Sequence, residues 1–177
     1  MNLVGKRVAL LVTDGFEQVE LTGPKRALEH AGAKTEILSD KPDKVTGWHH
    51  TTPGDSFHVD KTFDRADIDD YDAIVLPGGV VNADSIRMDE MAQELVKDAA
   101  RANKPIAVIC HGAWILASTD LVKGKTITSW PSLRDDLQNA GANWVDQEVV
   151  VDGRLISSRK PDDIPAFNQK LIEALVA

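Results

Sequence analysis

Residues 106–112 read Ile-Ala-Val-Ile-Cys-His-Gly, an apolar run that ends in a cysteine, a histidine and a glycine. Four consecutive apolar residues are typical of a strand buried on both faces, as in a parallel sheet. A helix is predicted directly afterwards, over about residues 113–119. A sharp strand-to-helix turn that carries a nucleophile is known as a nucleophile elbow. The stretch therefore predicts an α/β fold with Cys110 at such a turn.

Two apolar runs upstream have the same character, residues 7–13 and residues 71–76. A helix is predicted over residues 17–30 and a further strand over residues 34–39. A strand, a helix and a strand joined by short breaks form a βαβ unit, so we expect a mainly parallel sheet.

The other segments carry weaker patterns, and no repeat or break divides the chain. They predict a polar loop with one or two short edge strands over residues 40–70, a helix over 89–103 capped by Asp89, a strand over 126–129, a helix over 132–140, a hairpin over 148–157 and a final helix. We expect a single domain over residues 1–177.

Composition excludes several classes of protein. The chain is 42% hydrophobic and 27% charged, as ordinary globular proteins are. Its 20 Lys and Arg against 28 Asp and Glu give a net charge of −8, which repels phosphate backbones. Its apolar runs fall short of the roughly 18 residues of a membrane span, and no signal peptide precedes the first strand. We expect a cytoplasmic protein without nucleic-acid or membrane partners.

Ligands of open parallel sheets bind outside the carboxyl ends of the strands. Loops that begin at Asp14, Pro77, Cys110 and Trp130 follow predicted strands, so they should meet at one edge. The candidate site residues on these loops are Glu17, Glu20, Gly78, Gly79, Cys110 and His111.

Cys110 is the only cysteine, so the chain forms no internal disulfide and no thiolate metal cluster. On an elbow, the N–H groups and positive end of the following helix would lower the pKa of its thiol. Free cysteines are also among the most buried residues, so a nucleophile and a core cysteine remain equal alternatives. His111 could be its base, but adjacent side chains usually point apart, and a histidine stacked on the helix start is the alternative.

Glu17 and Glu20 are three residues apart and would share a helix face. Either could reach the Cys110 sulfur, where desolvation and like charge would keep a carboxyl protonated. Two solvated acids in the first helical turn are the simpler interpretation. Pro24 could kink this helix, because it removes the N–H that would bond the carbonyl of Glu20.

Pro77-Gly78-Gly79 could supply backbone N–H groups to an oxyanion hole, or could simply be a turn. It is not a dinucleotide-binding fingerprint. His49, His50 and His58 are too irregularly spaced for a metal site, so we expect neither metal nor cofactor. Trp48 and Trp130 are candidates for the rim of a cleft.

Five motifs together resemble a known family. They are Asp14-Gly-Phe-Glu-Gln-Val-Glu-Leu21, Leu76-Pro-Gly-Gly79, Ile109-Cys-His-Gly112, Ser129-Trp-Pro-Ser-Leu-Arg-Asp-Asp136 with Asn139-Ala-Gly-Ala142, and Ser157-Ser-Arg-Lys-Pro-Asp-Asp163. In this order and spacing they resemble the PfpI intracellular-protease family of the ThiJ/PfpI superfamily, which is similar to class I glutamine amidotransferases. The resemblance covers nearly the whole chain and implies a flavodoxin-like three-layer sandwich.

The resemblance also implies the roles of the site residues. Cys110 would be the nucleophile and Glu20, rather than Glu17, the acid at its sulfur. The N–H groups of Gly79 and His111 would form the oxyanion hole. His111 would pair with an acid from a neighbouring subunit of a dimer or larger homo-oligomer. Asp84 is the candidate, although it is shorter than the glutamate that some members carry.

Three functional alternatives follow, of which the resemblance implies the first two and the chemistry of an accessible thiol the third. The leading one is a cofactor-free intracellular cysteine protease or hydrolase linked to stress response, acting on peptides. The second is a glyoxalase or protein deglycase, in which Cys110 adds to methylglyoxal or its adducts and Glu20 shuttles a proton. The third is a non-catalytic redox sensor or chaperone that uses the same thiol. Glutaminase activity is not expected, because the late His-x-Glu of that triad is missing.

Overall fold

The computed structural model describes all 177 residues as an α/β fold. Its strands are β1 (Arg7–Leu11), β2 (Phe16–Glu17), β3 (Lys34–Ser39), β4 (Lys44–His49), β5 (Thr52–His58), β6 (Lys61–Thr62), β7 (Ala73–Leu76), β8 (Ile106–Ile109), β9 (Thr126–Ile127), β10 (Asn143–Trp144), β11 (Val150–Asp152) and β12 (Leu155–Ser158). Its helices are α1 (Gln18–His30), α2 (Val80–Ile86), α3 (Glu90–Arg101), α4 (Trp114–Ser118), α5 (Arg134–Asn139) and α6 (Ile164–Val176).

The central sheet has seven strands in the order β11-β12-β8-β7-β1-β3-β6. Every neighbouring pair is parallel except the β11–β12 hairpin. A parallel sheet brings the carboxyl ends of its strands to one edge, which is where the candidate loops begin. The predicted mainly parallel sheet is therefore confirmed.

Helices cover both faces of this sheet. Along β1, Val8 and Leu10 pack into one apolar cluster with α1 and α6, whereas Ala9 and Leu11 pack into another with α3, α4 and α5. Because both faces are covered, every residue of β7 and β8 is buried. This arrangement is the expected three-layer sandwich.

Residues 40–70 differ from the prediction. Only β6 is an edge strand of the central sheet, while β4 and β5 form an antiparallel hairpin that pairs with β2 in a separate three-stranded sheet. The polar composition of this segment reflects the exposure of most of β5, not an irregular loop. As shown below, the turn of this hairpin reaches the site.

Two helices also differ from expectation. Helix α1 continues through Pro24 without interruption. The short helix α2 directly follows Gly79, where no helix was predicted. None of the helices combines the length and the apolar character needed to cross a membrane.

Candidate active site

Cys110 directly follows β8 and adopts a φ of 61°, a left-handed conformation that non-glycine residues rarely occupy. Such a conformation costs on the order of 1–3 kcal/mol and is concentrated at functional sites. Gly112 makes the turn possible, because a Cβ there would lie 2.3 Å from the carbonyl oxygen of Leu76. The predicted elbow is therefore present, with a cysteine that is only 8% exposed.

The loops at the carboxyl edge enclose a pocket of about 200 Å³ around Cys110. Glu17, Glu20, Gly79 and His111 line it, as the position of the loops predicts. A larger cavity of about 590 Å³ lies at the opposite edge of the sheet and contains neither cysteine nor histidine. The smaller pocket is therefore the candidate active site.

Glu20 is completely buried beneath this pocket. Its Oε1 accepts the N–H of Gly78 at 3.0 Å, while Oε2 is buried without a regular hydrogen-bond partner. Burial, and secondarily the negative charge of Glu17, raise the pKa of Glu20 well above its ordinary value. Burial therefore favours the protonated form of Glu20, and the interpretation of a solvated acid is wrong for this residue.

Glu17 and Glu20 have different surroundings. Glu17 is half-buried at the start of α1, and its Oε2 accepts the N–H of His50 at 3.1 Å. Glu20 lies against the nucleophile instead, since a Cβ added at Gly78 would touch both Oε1 of Glu20 (2.5 Å) and Cβ of Cys110 (2.7 Å). The structure thus brings Glu20, and not Glu17, next to Cys110.

Opposing influences act on the Cys110 thiol. Burial of the sulfur, and any negative charge on Glu20, raise its pKa. The backbone N–H groups of His111 and Gly79 act in the opposite direction but offset these influences only in part, so the pKa of the thiol beside an ionised Glu20 lies above its ordinary value. The expectation that the turn lowers the thiol pKa is therefore wrong while Glu20 is ionised, because burial outweighs the N–H groups. The protonation state of Glu20 decides how much repulsion the sulfur experiences.

His111 faces Cys110 despite being its neighbour in sequence. Its Nδ1 lies 3.4 Å from Sγ, a contact that the strained backbone of the elbow permits. The ring also stacks on Trp130 at 6.0 Å and meets Trp114 edge-on at 5.9 Å. Burial lowers the pKa of His111, so the neutral ring can accept a proton. His111 therefore contacts the sulfur, as a base would, and also packs on aromatic rings, one of them Trp114 at the start of α4. The two interpretations of this residue do not exclude each other.

The N–H groups of Gly79 and His111 lie close enough to the sulfur to lower its pKa, so they are the available donors for an oxyanion that forms beside the sulfur. Gly79 has a φ of 85°, and a Cβ there would lie 2.4 Å from the carbonyl oxygen of Gly15. The N–H of Gly78 is already bonded to Glu20. The N–H of Gly78 is therefore not available to an oxyanion hole, contrary to the prediction.

Asp84 is exposed on α2 and does not line the pocket of its own chain. No carboxylate of the same chain bonds His111. The role of Asp84 as an acid that reaches His111 of a neighbouring subunit stays a prediction.

Sequence reasoning missed several residues of the site. His50 and Thr51, at the turn between β4 and β5, form part of the pocket wall. They were missed because the pairing of β4 with β2 is a long-range contact that periodicity does not reveal. Trp130 lines the pocket as expected, whereas Trp48 does not. No group of three or more His, Cys, Asp or Glu is arranged to hold a metal ion.

A family model described as "DJ-1/PfpI family" matches residues 6–174. The Bacillus subtilis protein named "Putative cysteine protease YraA" is 42% identical, over 97% of this chain and 99% of its own length. The "Deglycase PfpI" of Pyrococcus furiosus is 40% identical, over 96% of this chain and 99% of its own length.

Solved structures have the same fold. The DJ-1 protein of Schizosaccharomyces pombe superimposes with a TM-score of 0.84 at 27% identity, over 94% of this chain and 90% of that one. A two-domain protein of Anabaena variabilis with a DJ-1/ThiJ/PfpI-like and a ferritin-like domain gives a TM-score of 0.91 at 32% identity, over 97% of this chain. This chain spans about half of that longer protein, 48% of its length.

Proposed function

This chain belongs to the DJ-1/PfpI family, and we propose that its Cys110 is the nucleophile of an enzyme that acts on methylglyoxal or its adducts. Relatives named as a cysteine protease and as a deglycase show that the chain is an enzyme of a cysteine-dependent, hydrolase-like family. The observation that carries the proposal is the convergence of a sulfur, a completely buried carboxyl and two backbone N–H groups in one small pocket.

Cys110 and Glu20 can hold only one negative charge between them, because two adjacent buried anions would repel each other strongly. The sulfur has two backbone N–H groups to stabilise a charge, whereas Glu20 has one and also experiences the charge of Glu17. We therefore assign the charge to Cys110 and the proton to Glu20. The Glu20 O–H can then be donated to Sγ, which supports the thiolate further.

The reaction follows from this arrangement. Sγ of Cys110 forms a bond to the carbonyl carbon, and the carbonyl oxygen becomes an oxyanion bound by the N–H groups of Gly79 and His111. Glu20 donates its proton to the oxyanion, and its carboxylate then removes the proton from the former aldehyde carbon of methylglyoxal and returns it to the neighbouring carbon. This isomerisation converts the hemithioacetal into a lactoyl thioester, and water breaks the C–S bond to release lactate and the Cys110 thiolate. Net addition of water to methylglyoxal gives lactate, with no external oxidant or reductant.

The pocket favours a small substrate. Its volume of about 200 Å³ lies below the roughly 300–1,000 Å³ of pockets that enclose drug-sized ligands. An aldehyde or its adduct on one side chain fits such a space, and the chemistry uses groups of one chain only. Both features support deglycase or glyoxalase chemistry.

Peptide hydrolysis is the second candidate, favoured by the 3.4 Å contact between Sγ of Cys110 and Nδ1 of His111. In this alternative Cys110 begins as a thiol. A neutral His111 would take its proton as Sγ bonds to the peptide carbonyl carbon and pass it to the amine as the C–N bond breaks, after which water cleaves the thioester. This reaction would benefit from a carboxylate that orients His111, for which we propose Asp84 of a second subunit in a homodimer.

Turnover of two substrates by four proteins tests these proposals. Lactate formation from methylglyoxal and hydrolysis of casein are measured for the wild type, Cys110→Ser, Glu20→Gln and Asp84→Asn. We expect Cys110→Ser to abolish both reactions and Glu20→Gln to abolish lactate formation, because an amide cannot transfer the proton. Asp84→Asn should reduce casein hydrolysis only. Lactate formation that persists in Cys110→Ser would overturn the proposed function.

A further inference from the structure

Asn82 lies in α2 and is completely buried where the Pro77–Gly79 loop meets the end of β1. Its side-chain amide makes three hydrogen bonds. Oδ1 accepts the N–H of Thr13 at 2.8 Å, and Nδ2 donates to the carbonyl oxygens of Pro77 at 3.1 Å and Gly78 at 2.9 Å. Since Oδ1 must accept and Nδ2 must donate, these partners determine the orientation of the amide.

The bonds to Asn82 orient two successive peptide groups. All peptide bonds are trans, so each C=O points opposite to the N–H of the next residue. The C=O of Pro77 faces Asn82, and the N–H of Gly78 accordingly faces Glu20, which it bonds at 3.0 Å. The C=O of Gly78 also faces Asn82, which turns the N–H of Gly79 toward Cys110.

This loop needs an external restraint. Gly78 and Gly79 lack side chains, and adjacent glycines give a peptide group the widest conformational freedom. The other donor to the C=O of Gly78 is the N–H of Glu17 at 3.3 Å, a longer bond than the 2.9 Å from Asn82. Rotation of the Gly78–Gly79 peptide would remove one of the two N–H groups from the oxyanion hole.

We propose that Asn82 is a positioning residue that holds the Gly78–Gly79 peptide in the orientation required for the oxyanion hole. It also holds the N–H of Gly78 on Glu20, so one side chain aligns both the proton carrier and the oxyanion donor. Asn82 acts through these groups and touches no reacting atom. The expected effect of Asn82 on catalysis rests on the proposed function. The expected effect of Asn82 on the reactivity of the Cys110 sulfur does not.

Asn82→Asp is the sharpest variant. It keeps the side-chain shape and the acceptor for Thr13 but removes both N–H donors, and its carboxylate would repel the two carbonyl oxygens. Two quantities are measured: the rate of Cys110 alkylation by iodoacetamide against pH, followed by intact mass, and kcat and KM for methylglyoxal. We expect the alkylation midpoint to move to higher pH, because the sulfur loses an N–H donor. We expect kcat to fall roughly 100- to 1,000-fold with little change in KM.

Asn168→Asp is the matched control. Asn168 lies in α6, outside the pocket, donates to the carbonyl oxygen of Gly23 at 3.5 Å and has a buried Oδ1. The same chemical change there should leave both the alkylation midpoint and kcat at their wild-type values. If Asn82→Asp does not fold, Asn82→Ser, which keeps one donor, should shift both quantities by a smaller amount.

A folded Asn82 variant with the wild-type alkylation midpoint and wild-type kcat would overturn the inference. Equal losses in Asn82→Asp and Asn168→Asp would overturn it as well, since they would reveal a general effect on folding. The alkylation measurement needs no substrate. A wild type without turnover would therefore refute the proposed function, while the shift in midpoint would still decide the role of Asn82.

Discussion

Replacing Glu20 by Gln should stabilise the folded protein at neutral pH, and the gain should grow as the pH rises. Glu20 is completely buried, and only one of its oxygens has a hydrogen-bond partner. Gln is nearly the same size and keeps an acceptor for the N–H of Gly78. The substitution therefore removes the titration of the group while it preserves the packing.

The magnitude follows from proton linkage. The pKa of Glu20 is raised in the folded state, so the folded protein holds a proton that the unfolded chain releases near pH 4.3. The contribution of the protonated Glu20 to the free energy of unfolding is complete below about pH 4.3 and is lost as the pH rises toward the pKa that Glu20 has in the folded protein. Relative to Glu20→Gln, the wild type should lose about 1.4 kcal/mol per pH unit over this interval. For a chain of this size that corresponds to about 3–6 °C in Tm per pH unit.

Urea unfolding from pH 4 to pH 8 measures this difference. Cys110→Ser is the control, because it keeps Glu20 and should keep most of the wild-type pH dependence. A stability difference between Glu20→Gln and the wild type that stays constant over this range would refute the reasoning. It would mean that Glu20 has an ordinary pKa and is ionised beside the sulfur.

Three further predictions concern the surroundings of the site. Gly79→Ala places a Cβ 2.4 Å from the carbonyl oxygen of Gly15, at a φ of 85°, so turnover should fall roughly 100-fold or more together with stability in urea. Gln18→Ala removes two hydrogen bonds of 2.8 Å that tie β5 to α1, and kinetic assays should show a higher KM with unchanged Cys110 alkylation. Asp163→Asn replaces a buried carboxylate that accepts three N–H groups of Arg159. It should lower the free energy of unfolding, measured in urea, by about 2–3 kcal/mol.

Local patterns predicted the centre of the sheet well, because the inner strands β1, β7 and β8 are almost entirely apolar and are separated by strong turn signals. The β11–β12 hairpin turns at Asp152-Gly153 as predicted, and Asp89 caps α3 by accepting the N–H of Ala92. The elbow was also predictable, since Cys110 sits directly between a buried strand and a helix and is followed by Gly112.

The finer geometry of the site was not predictable, because it depends on contacts between distant segments. The burial of Glu20 arises only when α1 packs beside the loop after β7, so its charge state could not be deduced from its spacing to Glu17. The proximity of His111 to Cys110 depends on a left-handed φ at Cys110. Asn82 had no local signal, because its partners lie on two different loops.

The pH dependence of Cys110 alkylation by iodoacetamide, followed by intact mass, tests the central claim most directly. The account predicts one modified site and a midpoint below the value of about 8.5 for a free thiol, because a protonated Glu20 and the N–H groups of Gly79 and His111 stabilise the thiolate. No modification, or a midpoint at or above that value, would contradict it. Burial would then dominate, and Cys110 would be a protonated thiol rather than a resting nucleophile.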